Sequence, residues 1–304
     1  GGVLLSAAHR AELQQMHQQD VGLANKSKEE LTFIALIRGC AKHKNIHEGS
    51  RLHAEILKRR LLGQSPHLAS SLINMYAKCG VISKAHQVLE ELTVRNVVSW
   101  SALIAGYAQL GQGHEALHCF ELMQNEGLSP DAITFTSALK ACGSIRDLNK
   151  GEKMHNEIMS RGLLDNDIML GSALVDMYAK CHANAKARWV LEELPFRNVV
   201  SWNALITGYV QQSQWHEALN CFHQMQNEGL SPNVVTFTSI LNACGNMGAI
   251  DKGKQIHEDI MNRGLIENDM VLGNALVDMY VKCGVLAKAQ KVLEELPVRN
   301  VVSW

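Results

Sequence analysis

The string Arg-Asn-Val-Val-Ser-Trp ends at Trp100, again at Trp202 and again at Trp304, so the chain carries a tandem period of about 102 residues. Laying 97–198 over 199–300 without a gap matches about 64 of about 102 positions. Each period divides into three related units of about 35, 36 and 31 residues: 97–131, 132–167 and 168–198, then 199–233, 234–269 and 270–300. An earlier pair, 30–65 and 66–96, supplies the second and third types once more, and 301–304 opens another unit of the first type. Repeats of this size do not close a single core. Each buries its apolar face against the next, so length alone sets no domain count.

Within a unit the pattern is helix, turn, helix. Ser99–Leu110 carries Leu103, Ile104 and Tyr107 at helical spacing, and His114–Glu126 carries Ala116, Leu117, Phe120 and Met123. Gly127-Leu128-Ser129-Pro130 then stops the chain, because glycine tolerates the turn and proline cannot donate the next helical hydrogen bond. One hairpin cannot bury both stripes by itself. The expected fold class is therefore all-α, a right-handed superhelical solenoid of helix-turn-helix repeats over 30–304, with first helices on one face and second helices on the other. Residues 1–29 stand outside the repeat as a tag remnant, Gly1-Gly2, and a helical extension over Val3–Gln19; Ser27 and Glu30 form a candidate capping box.

Charge narrows the function classes. Lys plus Arg total 29 against 30 for Asp plus Glu, so no polycationic surface exists for indiscriminate phosphate binding. No apolar run approaches the roughly 20 residues that span a bilayer, so a soluble chain with no membrane partner is expected. All eight cysteines fall on the repeat grid: Cys40, Cys142 and Cys244; Cys79, Cys181 and Cys283; Cys119 and Cys221. They form no Cys-x-x-Cys pair, so buried thiols are expected rather than a metal site or disulfides. His53-Ala54-Glu55 and His155-Asn156-Glu157 match half of a zinc deaminase signature. The other half, Pro-Cys-x-x-Cys, is missing and the third copy reads His257-Glu258-Asp259, which favours a helix-surface position over a metal ligand. No catalytic residue, metal or cofactor is expected.

Val199-Val200-Ser201-Trp202-Asn203-Ala204-Leu205-Ile206 through Glu228-Gly229-Leu230-Ser231-Pro232-Asn233 resembles the standard pentatricopeptide repeat. Leu272-Gly273-Asn274-Ala275-Leu276-Val277-Asp278-Met279-Tyr280 resembles its short variant, and Thr236-Phe237-Thr238 through His257 and Asn268 its long variant. The alternation resembles the subclass with standard, long and short units (PLS) found in land-plant organelle RNA editing factors. That resemblance implies a mitochondrial or chloroplast protein that binds single-stranded RNA at about one base per repeat, amino-terminal repeats towards the 5′ end. It further implies editing co-factor proteins as partners and places the deaminase chemistry outside this chain. Base selection falls to the fifth and last residues of each unit: Ser70 with Asn96, Ser101 with Asp131, Thr136 with Asp167, Ser172 with Asn198, Asn203 with Asn233, Thr238 with Asp269, and Asn274 with Asn300. Ile34 with Ser65 departs from the pattern and specifies no base. The resemblance also implies that Val98, Met169, Val200 and Val271, each second in its unit, pack against base faces.

Hydrogen-bond chemistry runs the same way. An ionised aspartate only accepts, which suits the ring N–H of guanine and uracil; asparagine also donates, which suits adenine and cytosine. A short Ser or Thr hydroxyl leaves room for a purine where Asn favours a pyrimidine. The expected target is 5′-A-G-(G)-A-Y-(G)-Y-3′, with Y a pyrimidine and brackets on the long units.

Capping competes with reading, because Ser, Thr, Asn and Asp favour helix starts and turns in any protein. Against capping alone, the two positions vary together with unit type while the turns around them stay nearly fixed. Trp100 and Trp202 fit core packing, whereas Trp189 and Trp215 have no counterparts in sister units. The rival function is a protein-binding scaffold of tetratricopeptide type, favoured by the near-zero net charge but opposed by the alternating unit lengths. Ending inside a unit would leave the 270–300 hairpin with an uncovered apolar face, so self-association is a further expectation.

Overall fold

The structure, a computed structural model, describes residues 28–165, 167–266 and 269–295. The helix expected over Val3–Gln19, the cap at Ser27, Asn268, Asn300 and the opening of the unit at 301–304 lie outside the described residues. Among the described residues there is no strand. The helices are α1 (28–43), α2 (Ile46–Lys58), α3 (Pro66–Lys78), α4 (Ile82–Glu90), α5 (Val97–Gln109), α6 (Gly113–Asn125), α7 (Ala132–Ile145) and α8 (Leu148–Ser160). They continue as α9 (Ile168–Lys180), α10 (Asn184–Glu193), α11 (Val199–Gln211), α12 (Trp215–Asn227), α13 (Val234–Met247), α14 (Ile250–Asn262), α15 (Met270–Lys282) and α16 (Leu286–Glu295). Odd-numbered helices open the units and even-numbered helices close them. None of the described helices is long and apolar enough to cross a membrane.

Local chemistry explains the boundaries. The first helix of the unit at 97–131 starts at Val97, two residues earlier than the apolar pattern suggests, because the Asn96 side chain caps it by accepting from Ser99 N at 2.9 Å. Ser99 is the third helical residue, and its hydroxyl accepts from Asn96 N at 3.1 Å to complete a capping box. After α6, Gly127 takes φ 78° and Leu128 N donates back to Met123 O at 3.2 Å, which closes the helix before Pro130.

The chain forms two compact units, 1–141 and 142–304, dividing within α7. In the first, α3 packs on α4 and α5, and α5 on α6. Leu103, Ile104, Ala116, Leu117, Phe120 and Met123 are buried there as the two stripes require, while Tyr107 is half-buried. In the second, α9 packs on α10 and α11, α11 on α12 and α13, and α13 on α14 and α15. Two close approaches recur. A Cβ on Gly106 would lie 2.8 Å from Ala77 Cβ, and one on Gly208 2.8 Å from Ala179 Cβ, so first helices meet where one has no side chain. A Cβ on Gly49 or Gly253 would lie 2.5 Å from the sulfur of Met75 or Met279, and Gly151 meets Met177 in the same way. The closing helix of each long unit thus receives a methionine of the following short unit into its glycine notch.

Candidate nucleic-acid interface

The last residue of a unit precedes the first helix of the next and caps it: Ser65 Oγ accepts from Leu68 N at 3.2 Å, and at six further positions the cap is an asparagine or aspartate. Asn96, Asn198 and Asn233 accept through Oδ1 from the backbone N–H of Ser99, Ser201 and Thr236 at 2.9, 2.8 and 3.1 Å. Asp131, Asp167 and Asp269 do the same for Thr134, Leu170 and Leu272 at 2.8, 2.9 and 3.1 Å. Such caps stabilise a helix by about 1 kcal/mol. Each cap uses one side-chain atom. The other, Nδ2 in the asparagines and Oδ2 in the aspartates, has no protein partner among the described residues. Asp and Asn therefore cap alike, and the choice between them changes only the outward atom, acceptor in one and donor in the other.

The fifth residues sit deeper than the sequence suggests. Ser70, Ser101, Ser172 and Asn203 are only 9%, 5%, 4% and 8% exposed, because each first helix packs against a neighbouring first helix. Two of them reach the last residue of their unit directly. Asn203 Nδ2 donates to Asn233 Oδ1 at 3.0 Å, and Ser172 Oγ to Asn198 Oδ1 at 3.3 Å. Ser101 Oγ lies 2.5 Å from Thr134 Oγ1, which donates to Asp131 Oδ1 at 2.7 Å. Ser70 turns its hydroxyl to His67 O at 3.1 Å. Thr136 likewise donates to Ala132 O at 2.8 Å; it lies in the first compact unit and Asp167 in the second. Thr238 Oγ1 is buried without a hydrogen-bond partner among the described residues, and Asn274 is half-buried.

Beside each asparagine or aspartate cap stands a solvent-facing apolar side chain, whereas His67 follows the Ser65 cap. Val98, Met169, Val200 and Val271 are 43%, 59%, 56% and 60% exposed. Leu31, Ile133 and Val235 hold the same second position and are exposed too, members of the row that the sequence reading did not name. The third residues Ser99, Thr134, Ser201 and Thr236 were also missed. All four are fully buried under the reader corners, and the signal was present as an Asn or Asp followed three residues later by Ser or Thr.

Elsewhere the polar motifs hold hairpins together. His53, His155 and His257 each share a hydrogen bond through Nδ1 with the phenol of Tyr76, Tyr178 and Tyr280, at 3.0, 2.8 and 2.9 Å. This corrects the helix-surface reading: His155 is buried, and all three join a long unit to the short unit after it. Burial lowers the pKa of these imidazoles and pushes the Tyr178 phenol up to about 12. Trp100 and Trp202 are buried, and each donates from Nε1 at 2.8 Å to Glu126 or Glu228, which also pairs with Arg95 or Arg197. Trp189 is half exposed, in a shallow cleft with His155, Met159 and Leu194. The cysteines are free thiols, five buried and three half-buried, and burial raises every one, Cys142 and Cys221 to about 12.

Stacked helical hairpins, most with a capped polar pair and an exposed apolar residue at the start of the first helix, define a tandem helical-repeat protein. More narrowly, the chain belongs to the pentatricopeptide repeat family. A PPR repeat family model matches 95–144 and 197–246, and a PPR repeat model matches 31–61, 69–97, 133–163, 235–265 and 274–301. A putative mitochondrial pentatricopeptide repeat-containing protein of Arabidopsis thaliana is 40% identical over 273 residues, covering 90% of this chain and 43% of the relative. A chloroplastic member from the same plant is 36% identical over 275 residues, covering 90% of this chain and 44% of its own. The chain thus spans less than half the length of these relatives. Among solved structures, the pentatricopeptide repeat protein PPR10 in complex with an 18-nt psaJ RNA element superposes with a TM-score of 0.68 at 18% identity, over 84% of this chain and 38% of that one. At that identity the likeness concerns the fold, an all-α solenoid of helical hairpins.

Proposed function

We propose that this chain binds single-stranded RNA and distinguishes its bases one hairpin at a time, as the address tract of an organellar C-to-U editing factor of the PLS subclass. The observation that carries the reading is the division of labour within each capping side chain. One atom holds the helix start, and the second, free atom alone distinguishes Asp131 from Asn233. A position that served only as a cap would have no use for that difference. The exposed apolar residue beside each asparagine or aspartate cap supplies a surface on which a base face packs. The complex formed by PPR10 supports RNA as the ligand class, and the relatives named as mitochondrial or chloroplastic support an organellar setting. On this reading the deaminase chemistry is supplied by another domain or protein.

Selection from a random RNA pool with the whole chain tests this. The expected product is an enriched motif of the form 5′-A-G-(G)-A-Y-(G)-Y-3′, weakest at the bracketed bases. Recovery of no motif would remove the reading and leave a helical scaffold.

A further inference from the structure

We propose that the third residue of the following unit, Thr134 and Thr236 in this chain, is a positioning residue for base selection, because its hydroxyl fixes which hydrogen-bonding end each reader presents. The proposal rests on the base-reading function above and adds to it a residue outside the two reader positions.

Around Asn203 and Asn233 the hydrogen bonds form a closed ring. Asn233 N donates to Thr236 Oγ1 at 3.1 Å, and Thr236 N donates to Asn233 Oδ1 at 3.1 Å. Thr236 Oγ1 in turn donates to Asn203 Oδ1 at 2.7 Å, and Asn203 Nδ2 donates to Asn233 Oδ1 at 3.0 Å. A hydroxyl has one proton. Its nearer acceptor is Asn203 Oδ1, with Asn233 Oδ1 at 3.1 Å as the other; while Asn203 holds the proton, a flipped Asn203 amide would set donor against donor at Thr236 and oxygen against oxygen at Asn233. The Asn233 oxygen is likewise held inward by two donors, so its Nδ2 is the end that faces out. Thr236 is fully buried, so no water replaces its hydroxyl in the ring.

The same residue performs the same task with different partners at Ser101 and Asp131. Thr134 N and Oγ1 both donate to Asp131 Oδ1, at 2.8 and 2.7 Å. The carboxylate can only accept, so Thr134 Oγ1 links Asp131 to Ser101, whose one hydroxyl proton has both Thr134 Oγ1 at 2.5 Å and Val97 O at 2.6 Å within reach. The long unit provides the contrast. Its reader Thr238 would need a hydroxyl from residue 272, but Leu272 stands there, and Thr238 Oγ1 has no partner among the described residues. Asp269 is still a cap, accepting from Val271 N and Leu272 N at 2.9 and 3.1 Å. Its companion is simply not oriented.

The test compares Thr236→Val, which keeps the shape and removes the hydroxyl, with Thr236→Ser, which keeps the hydroxyl. Binding of the whole chain is measured to RNA ligands differing only at the base facing Asn203 and Asn233, a pyrimidine or a purine. The readout is the affinity ratio within one preparation, which a partly unfolded fraction leaves unchanged. The expected result is that the unsubstituted chain prefers the pyrimidine, Thr236→Val loses roughly three- to tenfold of that preference, and Thr236→Ser retains it. Thr134→Val should act in the same way at the base facing Ser101 and Asp131, which provides a second reading if Thr236→Val does not fold. A preference that survives both valine substitutions overturns this proposal while leaving base reading intact. An unsubstituted chain without any preference at either base overturns base reading at these pairs, and the proposal with it.

Discussion

The two standard units, 97–131 and 199–233, share the tryptophan and threonine that frame their capped corners and differ in the pair proposed to meet a base. Both bury a tryptophan whose indole donates to a glutamate at 2.8 Å, and in both that glutamate also holds an arginine of the preceding turn. Both set a buried threonine under the reader corner, at Thr134 and Thr236. Yet one corner reads Ser101 with Asp131 and the other Asn203 with Asn233, and the hydrogen-bond ring is rewired around the same threonine. At these corners the variation leaves the cap unchanged.

The comparison breaks most severely if its constant part is removed. Trp202→Ala deletes a buried indole and its charge-assisted hydrogen bond, and should cost roughly 3–5 kcal/mol, read as a fall in melting temperature. Trp215→Ala, at a half-buried position with no counterpart in the sister unit, should melt close to the unsubstituted chain. Equal losses would mean that the shared indole is not what holds the unit.

Exchanging the variable part is the next largest effect. Ser101→Asn with Asp131→Asn gives the first standard unit the readers of the second, and should move its preference from G to a pyrimidine by roughly 1–3 kcal/mol. Asp131→Asn alone should move it from G towards A. Gel shifts on matched oligonucleotides measure both, and melting temperature should barely change because the cap survives. An unaltered preference would mean that Asp131 caps and does nothing more.

Much of the framework was legible because apolar spacing and turn residues are local. Leu103, Ile104, Phe120 and Met123 announce two buried stripes, and Gly127 with Pro130 announces where α6 must end. The proposed reader positions were legible only through family resemblance. Their geometry was less so. Nothing in the spacing distinguishes a groove-facing serine from one 5% exposed, since Ser101 owes its burial to the neighbouring first helix, a contact made across hairpins. The histidines illustrate the same limit. His155 looked like a surface residue of an amphipathic helix until Tyr178, 23 residues away, proved to be its partner.

That pairing gives the smallest effect; it recurs between His86 and Tyr107 of the first standard unit at 3.0 Å, and burial holds the long-unit histidines of such pairs below their ordinary value. Burial holds His155 and His257 below the ordinary histidine value of 6.5, outweighing the opposing pull of Glu152 at His155. The unfolded chain therefore takes up protons first as pH falls. The stability from these groups is fully present above about pH 6.5 and is lost progressively below it, towards their folded pKa. Melting temperature should be level above neutrality and decline at pH 5.5. His155→Gln, which titrates no proton, should flatten part of that decline, and an unchanged slope would place the acid sensitivity elsewhere.

The glycine notches at Gly49, Gly151 and Gly253 constrain how such arrays can be recombined. Each admits a methionine from the next unit, so a recombinant that joins a foreign unit at this boundary must bring both the gap and the residue that fills it. Interchangeable cassettes made from this chain should accordingly be cut so that long and short modules travel together, with the splice placed at a joint the thioether does not cross.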